Sequence, residues 1–379
     1  MKTQYIILLA GALTMVSCKR EGCTDPTATN YDKKAKKDDG NCQYEQSAGY
    51  TIPSSYVFKD ASGNLTVDHQ GQTDRLNQLR EMIEMMEQGS GQLVSSVALK
   101  DMFANVNGDG NGNFSFASTK QLKDKCFELD QQFFEDMMDS LAVSSASFAS
   151  QAASGQAGVL QNGTSTYLFS SNGIQYSEVI EKGLMGAIFM NQALNTYFSA
   201  DKMNVDNTLA VDPAAGKHYT AMEHHWDEAF GYFGVSTDFP DSVPGDFWGK
   251  YCNSVNPILG SNQLMISQFL KGRAAISGKV YTDRDAAISK IRMMWEKIAA
   301  QVAMKYLDEA YSNFANPAAR LHELSEAYGF IMCLKYAPLE TRVMSASEVS
   351  NLLDEFGSNF WDLSLSQIQQ IKTALDAKY

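Results

Sequence analysis

Two stretches of the chain place residue types able to do chemistry in the same order. Glu223-His224-His225-Trp226-Asp227-Glu228-Ala229-Phe230-Gly231-Tyr232-Phe233 and Leu321-His322-Glu323-Leu324-Ser325-Glu326-Ala327-Tyr328-Gly329-Phe330-Ile331 both read histidine, three residues, glutamate, alanine, aromatic, glycine, aromatic. Residues four apart on a helix share a face, so His224 stands beside Glu228 and His322 beside Glu326, with Gly231 and Gly329 continuing each stripe. The other faces of the second stretch carry Leu321, Leu324, Tyr328, Ile331, Met332 and Leu334, which marks a buried helix. An imidazole and a carboxylate inside such a helix must be hydrogen-bonded, paired or metal-bound, because an unsatisfied buried charge costs several kcal/mol. The glycines leave room beside the polar pair for a backbone, a water or a ligand.

Two kinds of chemistry fit. If the two stretches pack about a pseudo-twofold axis, His224, Glu228, His322 and Glu326 converge, as in bundles that build carboxylate metal sites, and the ion would be divalent iron, zinc or calcium. Alternatively each pair is a buried hydrogen-bond network that fixes helix register, in a non-catalytic structural or partner-binding surface lipoprotein. His218 and His225 are further candidate ligands, or surface residues. His322-Glu323-Leu324-Ser325-Glu326 also looks like the zinc-peptidase pattern H-E-x-x-H with its last histidine replaced. No serine or cysteine sits in a G-x-S-x-G elbow or a recognisable triad, so the balance leans away from an enzyme.

The elements that must position these residues are helical. Apolar residues recur at steps of three and four from Thr73 to Gly89, over about 95 to 104, and over 120 to 141. Further helices are expected at about 175–198, 217–233, 261–276, 283–314, 318–336, 346–356 and 364–378, with starts marked by Ser345-Ala346-Ser347-Glu348 and Ser364-Leu365-Ser366-Gln367. The two histidine stretches each follow a long helix opening on Glu-Lys (Glu181-Lys182, Glu296-Lys297), which reads as an internal repeat over about 175–233 and 283–336. A short hairpin is expected around residues 56 to 67, and the Ser/Ala/Gly-rich stretch 143–166 reads as a surface loop. Asn107, Asp109, Asn111 and Gly112 match half of a calcium loop, but Ser118 replaces its closing glutamate, which favours a plain Gly/Asn turn. Met82, Met85 and Met86 belong to a core or an interface. The fold class is therefore all-α: a duplicated helical bundle over 49–379 with a small irregular N-terminal segment.

The first 18 residues run from Lys2 through the apolar stretch Tyr5 to Leu13 to Met15-Val16-Ser17-Cys18, a lipoprotein signal peptide with Cys18 as the lipidated residue. The apolar run is shorter than the roughly 20 residues of a membrane span. The membrane is thus expected as a partner through the lipid, at the outer membrane and facing periplasm or cell surface. In that oxidising compartment Cys23 and Cys42, which bracket a polar segment without a core of its own, are expected to pair. That segment, Asp25-Pro26-Thr27-Ala28-Thr29-Asn30-Tyr31 to Asp38-Asp39-Gly40-Asn41-Cys42, resembles a small cysteine-bounded module of exported Bacteroidota proteins; its acidic residues read as a solvated loop rather than a calcium site. The net charge of −13 and the lack of a basic patch argue against a nucleic-acid partner.

Tyr56-Val57-Phe58, Gly71-Gln72-Thr73-Asp74-Arg75-Leu76, Leu99-Lys100-Asp101-Met102-Phe103 and His322 to Phe330 resemble a Bacteroidota lipoprotein family of unknown function related to the imelysin-like proteins. The resemblance covers about residue 50 to the end. It implies a duplicated helical bundle, export, and a place in iron acquisition beside other iron-uptake proteins, with a metal or haem-related ligand. Imelysins carry G-x-H-x-x-E, whereas here Gly216-Lys217-His218 is followed by Ala221 and then Glu223, so the imelysin ligand set does not carry over.

Overall fold

The computed structural model describes residues 20–24, 28–42 and 49–379, and falls into two units, 1–48 and 49–379. Cys18 and its lipobox lie outside the described residues. In the first unit Cys23 and Cys42 form the expected disulfide. Around it, Glu21 bridges to Lys37 and Cys23 to Tyr31, and Asp32 is held by Arg20 at 2.7 Å.

The second unit is mostly helical. Its helices are α1 (Gln70–Glu87), α2 (Ser96–Phe103), α3 (Gln131–Ser145), α4 (Tyr176–Leu184), α5 (Ala200–Met203), α6 (Ala221–Phe233), α7 (Phe247–Leu259), α8 (Ser261–Ser277), α9 (Tyr281–Ser312), α10 (Pro317–Cys333), α11 (Ala346–Asp354) and α12 (Leu365–Asp376). After α4 the same rod continues through wide turns at Met185–Met190 and Gln192–Tyr197. The long α9 packs against α7, α8, α10 and α12, and α10 lies along α4. Trp226, Trp248 and Trp295 are fully buried at the centre, with Trp295 edge-on to both Phe233 and Trp248. Capping boxes start α6 at Thr220, α11 at Ser345 and α12 at Ser364, the last two where the sequence marked them. No helix among the described residues is long and apolar enough to cross a membrane.

Five expectations are corrected. The hairpin around 56–67 is a single bridge, Lys59 with Leu65, because Asp60 folds the intervening turn by accepting from Ser62 and Asn64. The real hairpins are β1 (Gly158–Asn162) with β2 (Ser165–Phe169), inside the expected loop, and β3 (Ala210–Asp212) with β4 (Lys217–Thr220), which takes the first turn from the expected 217–233 helix. The helix over 120–141 begins only at Gln131, since Cys126 and Phe127 are extended. Helix α7 was unforeseen: Gly249 and Pro257 interrupt its pattern. The 105–113 loop is a self-contained Gly/Asn turn, with Asn107 bonded to Asn111 and Asp109 accepting from Gly112.

Candidate functional site

The two histidine patterns build the same arrangement twice. On α6, His224 stacks on Tyr219 of β4 at 4.5 Å between rings; on α10, His322 stacks on Tyr167 of β2 at 4.4 Å. In each, Nδ1 donates to an oxygen from the segment entering another helix, the Asp68 carbonyl at 3.1 Å and the Gln175 Oε1 at 2.9 Å. Nε2 then faces the glutamate one turn on, at 3.9 Å for Glu228 and 3.4 Å for Glu326. A tyrosine hydroxyl from the preceding helical rod completes each set, Tyr197 to Glu228 and Tyr306 to Glu326. The shared glycine explains how a second helix comes so close. A Cβ on Gly231 would stand 2.6 Å from the His69 Cβ before α1, and one on Gly329 would stand 2.6 Å from the Lys182 Cβ of α4.

The centres differ in their cations. In the second, the Lys182 ammonium lies 2.8 Å from Glu178, 2.8 Å from Glu181 and 3.5 Å from Glu326, with Glu178 and Glu326 buried and Glu181 half-buried. Burial pulls the Lys182 pKa down, but Glu178 and Glu181 outweigh it and hold it well above the usual lysine value. Burial pushes Glu181 and Glu326 up to about 7 despite Lys182. For Glu178 burial is outweighed chiefly by Lys182, and its pKa is lowered. Burial likewise lowers the His322 pKa and keeps the ring neutral. With Nδ1–H given to Gln175, its bare Nε2 faces a carboxyl that still carries a proton part of the time at neutral pH.

In the first centre, the shortest contact to Glu228 comes from His225, at 2.9 Å, not from His224, so His225 is no idle surface residue. Gln72 Nε2 adds a bond to Glu228 at 3.2 Å. Burial raises the Glu228 pKa, yet the His225 hydrogen bond and the His224 charge bring it below the ordinary value. The nearby cation is Arg273, fully buried on the other side of α6. It reaches Asp227 at 2.9 Å, Glu223 at 2.7 Å and the Thr66 carbonyl at 2.8 Å, and its guanidinium lies over Phe58. Asp227 also accepts from Tyr56, and burial pushes its pKa up to about 7 against the pull of Arg273.

The expected convergence of His224, Glu228, His322 and Glu326 is therefore corrected. Each pair has its own set of neighbours and they share none of the contacts above: Glu326 lies beside Lys182, whereas Glu228 is met by His225 and Gln72. Among the described residues no three of His, Cys, Asp and Glu come together as a metal-holding group. The zincin-like reading of His322-Glu323 loses its base: Glu323 turns away to accept from Asn313 at 2.7 Å. His218 lies 3.7 Å from Asp60, away from both centres.

The second centre adjoins a cavity. A half-open space of about 290 Å³ is lined by Glu87, Ser90, Ser165, Thr166, Gln175, Ser177 and Glu178, with Met86, Tyr167 and Leu168 as its less polar wall. Tyr167 and Gln175, which form part of this wall, are the residues that hold His322 from above and from the side. Sequence reasoning missed Lys182, Arg273, His69 and the four tyrosines. The one available signal was a charge inside an apolar run, as in Val179-Ile180-Glu181-Lys182-Gly183-Leu184 and Phe269-Leu270-Lys271-Gly272-Arg273-Ala274-Ala275-Ile276.

A family model described as a domain of unknown function (DUF4856) matches residues 53–379. No curated protein and no solved structure matches the chain.

Proposed function

The chain belongs to the family described as domain of unknown function DUF4856, and from its geometry we propose a lipid-anchored, exported binding protein that works without catalysis. The observation that carries this reading is the polar cavity of about 290 Å³ abutting the His322 centre. A concave space with a few convergent polar groups and shifted titratable residues behind it is the usual form of a small-molecule site. The first centre has the role of locking helix register. Anchoring through Cys18 at the outer membrane rests on the signal peptide, and iron acquisition rests on the resemblance to imelysins.

A second reading is a metal at a single His–Glu pair. It is supported by the orientation of both imidazoles, which give Nδ1–H to an oxygen and point Nε2 at a carboxylate, as histidine ligands do. Native mass spectrometry of the protein extracted gently from membranes tests both readings together. The expected species begins at an acylated Cys18 and carries a small organic adduct that is lost in Thr166→Trp, whose new side chain fills the cavity. A bound iron, zinc or calcium mass that survives Thr166→Trp would favour the metal reading, and an unlipidated mature chain would overturn the anchor.

A further inference from the structure

The cavity has a definite chemistry. Glu178 and Glu87 face it, with Glu181 and Glu326 behind; the charges acting on these carboxylates from the packed elements are those of Lys182, Lys250, His322 and Glu84. Lys182 and Lys250 are too few to balance the carboxylates, His322 is held neutral by burial, and a half share of protons on Glu181 and Glu326 leaves the sum negative. Glu87, on the last turn of α1, has its pKa raised by burial and by Glu178, so the two carboxylates repel across the space between them. Such an environment rejects anions and favours a cation placed between the two.

The remaining wall narrows the class of cation. Ser90 just after α1, Ser165 and Thr166 of β2 and Ser177 at the start of α4 supply hydroxyls. A bare divalent ion would need three or more converging carboxylate or imidazole ligands, and the described residues bring no such group together. Hydroxyl-rich walls are suited to partners with hydroxyls of their own, and Met86, Leu168 and the Tyr167 ring offer an apolar surface for a carbon skeleton. The volume equals that of roughly ten waters, which is the scale of one monosaccharide.

We propose that this cavity binds a small polyhydroxylated primary amine of amino-sugar type, its ammonium held between Glu178 and Glu87 and its hydroxyls on the serine and threonine side chains. The proposal rests on the cavity being the binding site, as inferred above, and adds the ligand class. The ammonium gains charge-assisted hydrogen bonds to two carboxylates, and the flat sugar face lies against Tyr167 and Leu168.

Titration calorimetry of the full chain with glucosamine, with glucose as its neutral isostere and with calcium chloride separates the possibilities. Glucosamine is expected to bind, with glucose about tenfold or more weaker and calcium giving no saturable heat. Glu87→Gln, at the exposed rim, is expected to weaken glucosamine with no change in melting temperature, and Glu178→Gln to weaken it further. Equal binding of glucose and glucosamine, or saturable calcium binding, overturns the amine class. If neither sugar binds while the extracted protein still carries an adduct sensitive to Thr166→Trp, the ligand class fails and the cavity reading stands. If neither sugar binds and there is no such adduct, both fail.

Discussion

Arg273→Met is expected to lower the unfolding free energy by about 3 to 5 kcal/mol, the loss typical of removing one partner from a buried ion pair. The guanidinium is fully buried and ties three parts of the chain together: Asp227 and Glu223 on α6, Ser277 on its own helix α8, and Thr66 in the segment before α1. Methionine fills much of the volume but leaves the Asp227 carboxylate without its cation, and Asp227 Oδ2 already lacks a hydrogen-bond partner. The pH dependence gives the sign. The folded-state pKa of Asp227 is raised to about 7 from 3.8, so between those values the folded state holds more protons than the unfolded, and this group's contribution to stability falls as pH rises through that window. Without Arg273 the carboxylate rises further, so the deficit in urea denaturation is expected to be larger at pH 8 than at pH 5. Adding Asp227→Asn to Arg273→Met should recover part of the loss.

Lys182→Met is the second large effect, also about 3 to 5 kcal/mol at neutral pH. Its ammonium is the cation between Glu178, Glu181 and Glu326, and it lies over the Tyr251 ring. Lys182 itself contributes no slope in the neutral range, since its pKa is raised and its stabilisation fades only far above the usual lysine value. Glu178 acts the other way, its lowered pKa giving stability present above 4.5 and lost as pH falls below it. Glu181 and Glu326, raised from 4.5 to about 7, make wild-type stability decline as pH rises through that interval. Removing Lys182 is expected to push both carboxyls higher and shift the decline upward, so thermal melts of the variant should lose more between pH 6 and 8 than wild type does. An equal deficit at pH 5 and pH 8 would show that Lys182 acts by packing alone.

Helix content and the paired histidine stretches were legible because both rest on short-range periodicity. The H-x-x-x-E-A pattern placed His322 beside Glu326 and His224 beside Glu228, as helix geometry requires. What the spacing could not carry was the identity of the partners across helices. Lys182 stands 144 positions before Glu326 in the chain and Arg273 stands 46 after Asp227; no local pattern encodes such meetings. The shared-metal expectation failed for that reason, since the spacing showed neither Lys182 beside Glu326 nor His225 and Gln72 on Glu228. Tyr167, which stacks on His322, sits in a hairpin whose Gly, Ser and Thr content reads as loop, with Gly163 at the β1–β2 turn in the left-handed region, and Tyr219, which stacks on His224, sits in a strand that the expected 217–233 helix had absorbed. Helix α7 was hidden by Pro257 near its end, a residue that cannot donate to the carbonyl one turn back and so reads as a helix breaker.

The central claim is that the repeat builds two independent centres rather than one shared site. A double-mutant cycle on unfolding free energy with His224→Ala and His322→Ala tests it most directly. The account predicts that the two losses add, with a coupling within about 0.5 kcal/mol. A coupling above about 1 kcal/mol, in which removing either histidine costs nearly as much as removing both, would mean that the two act on one centre and would contradict it.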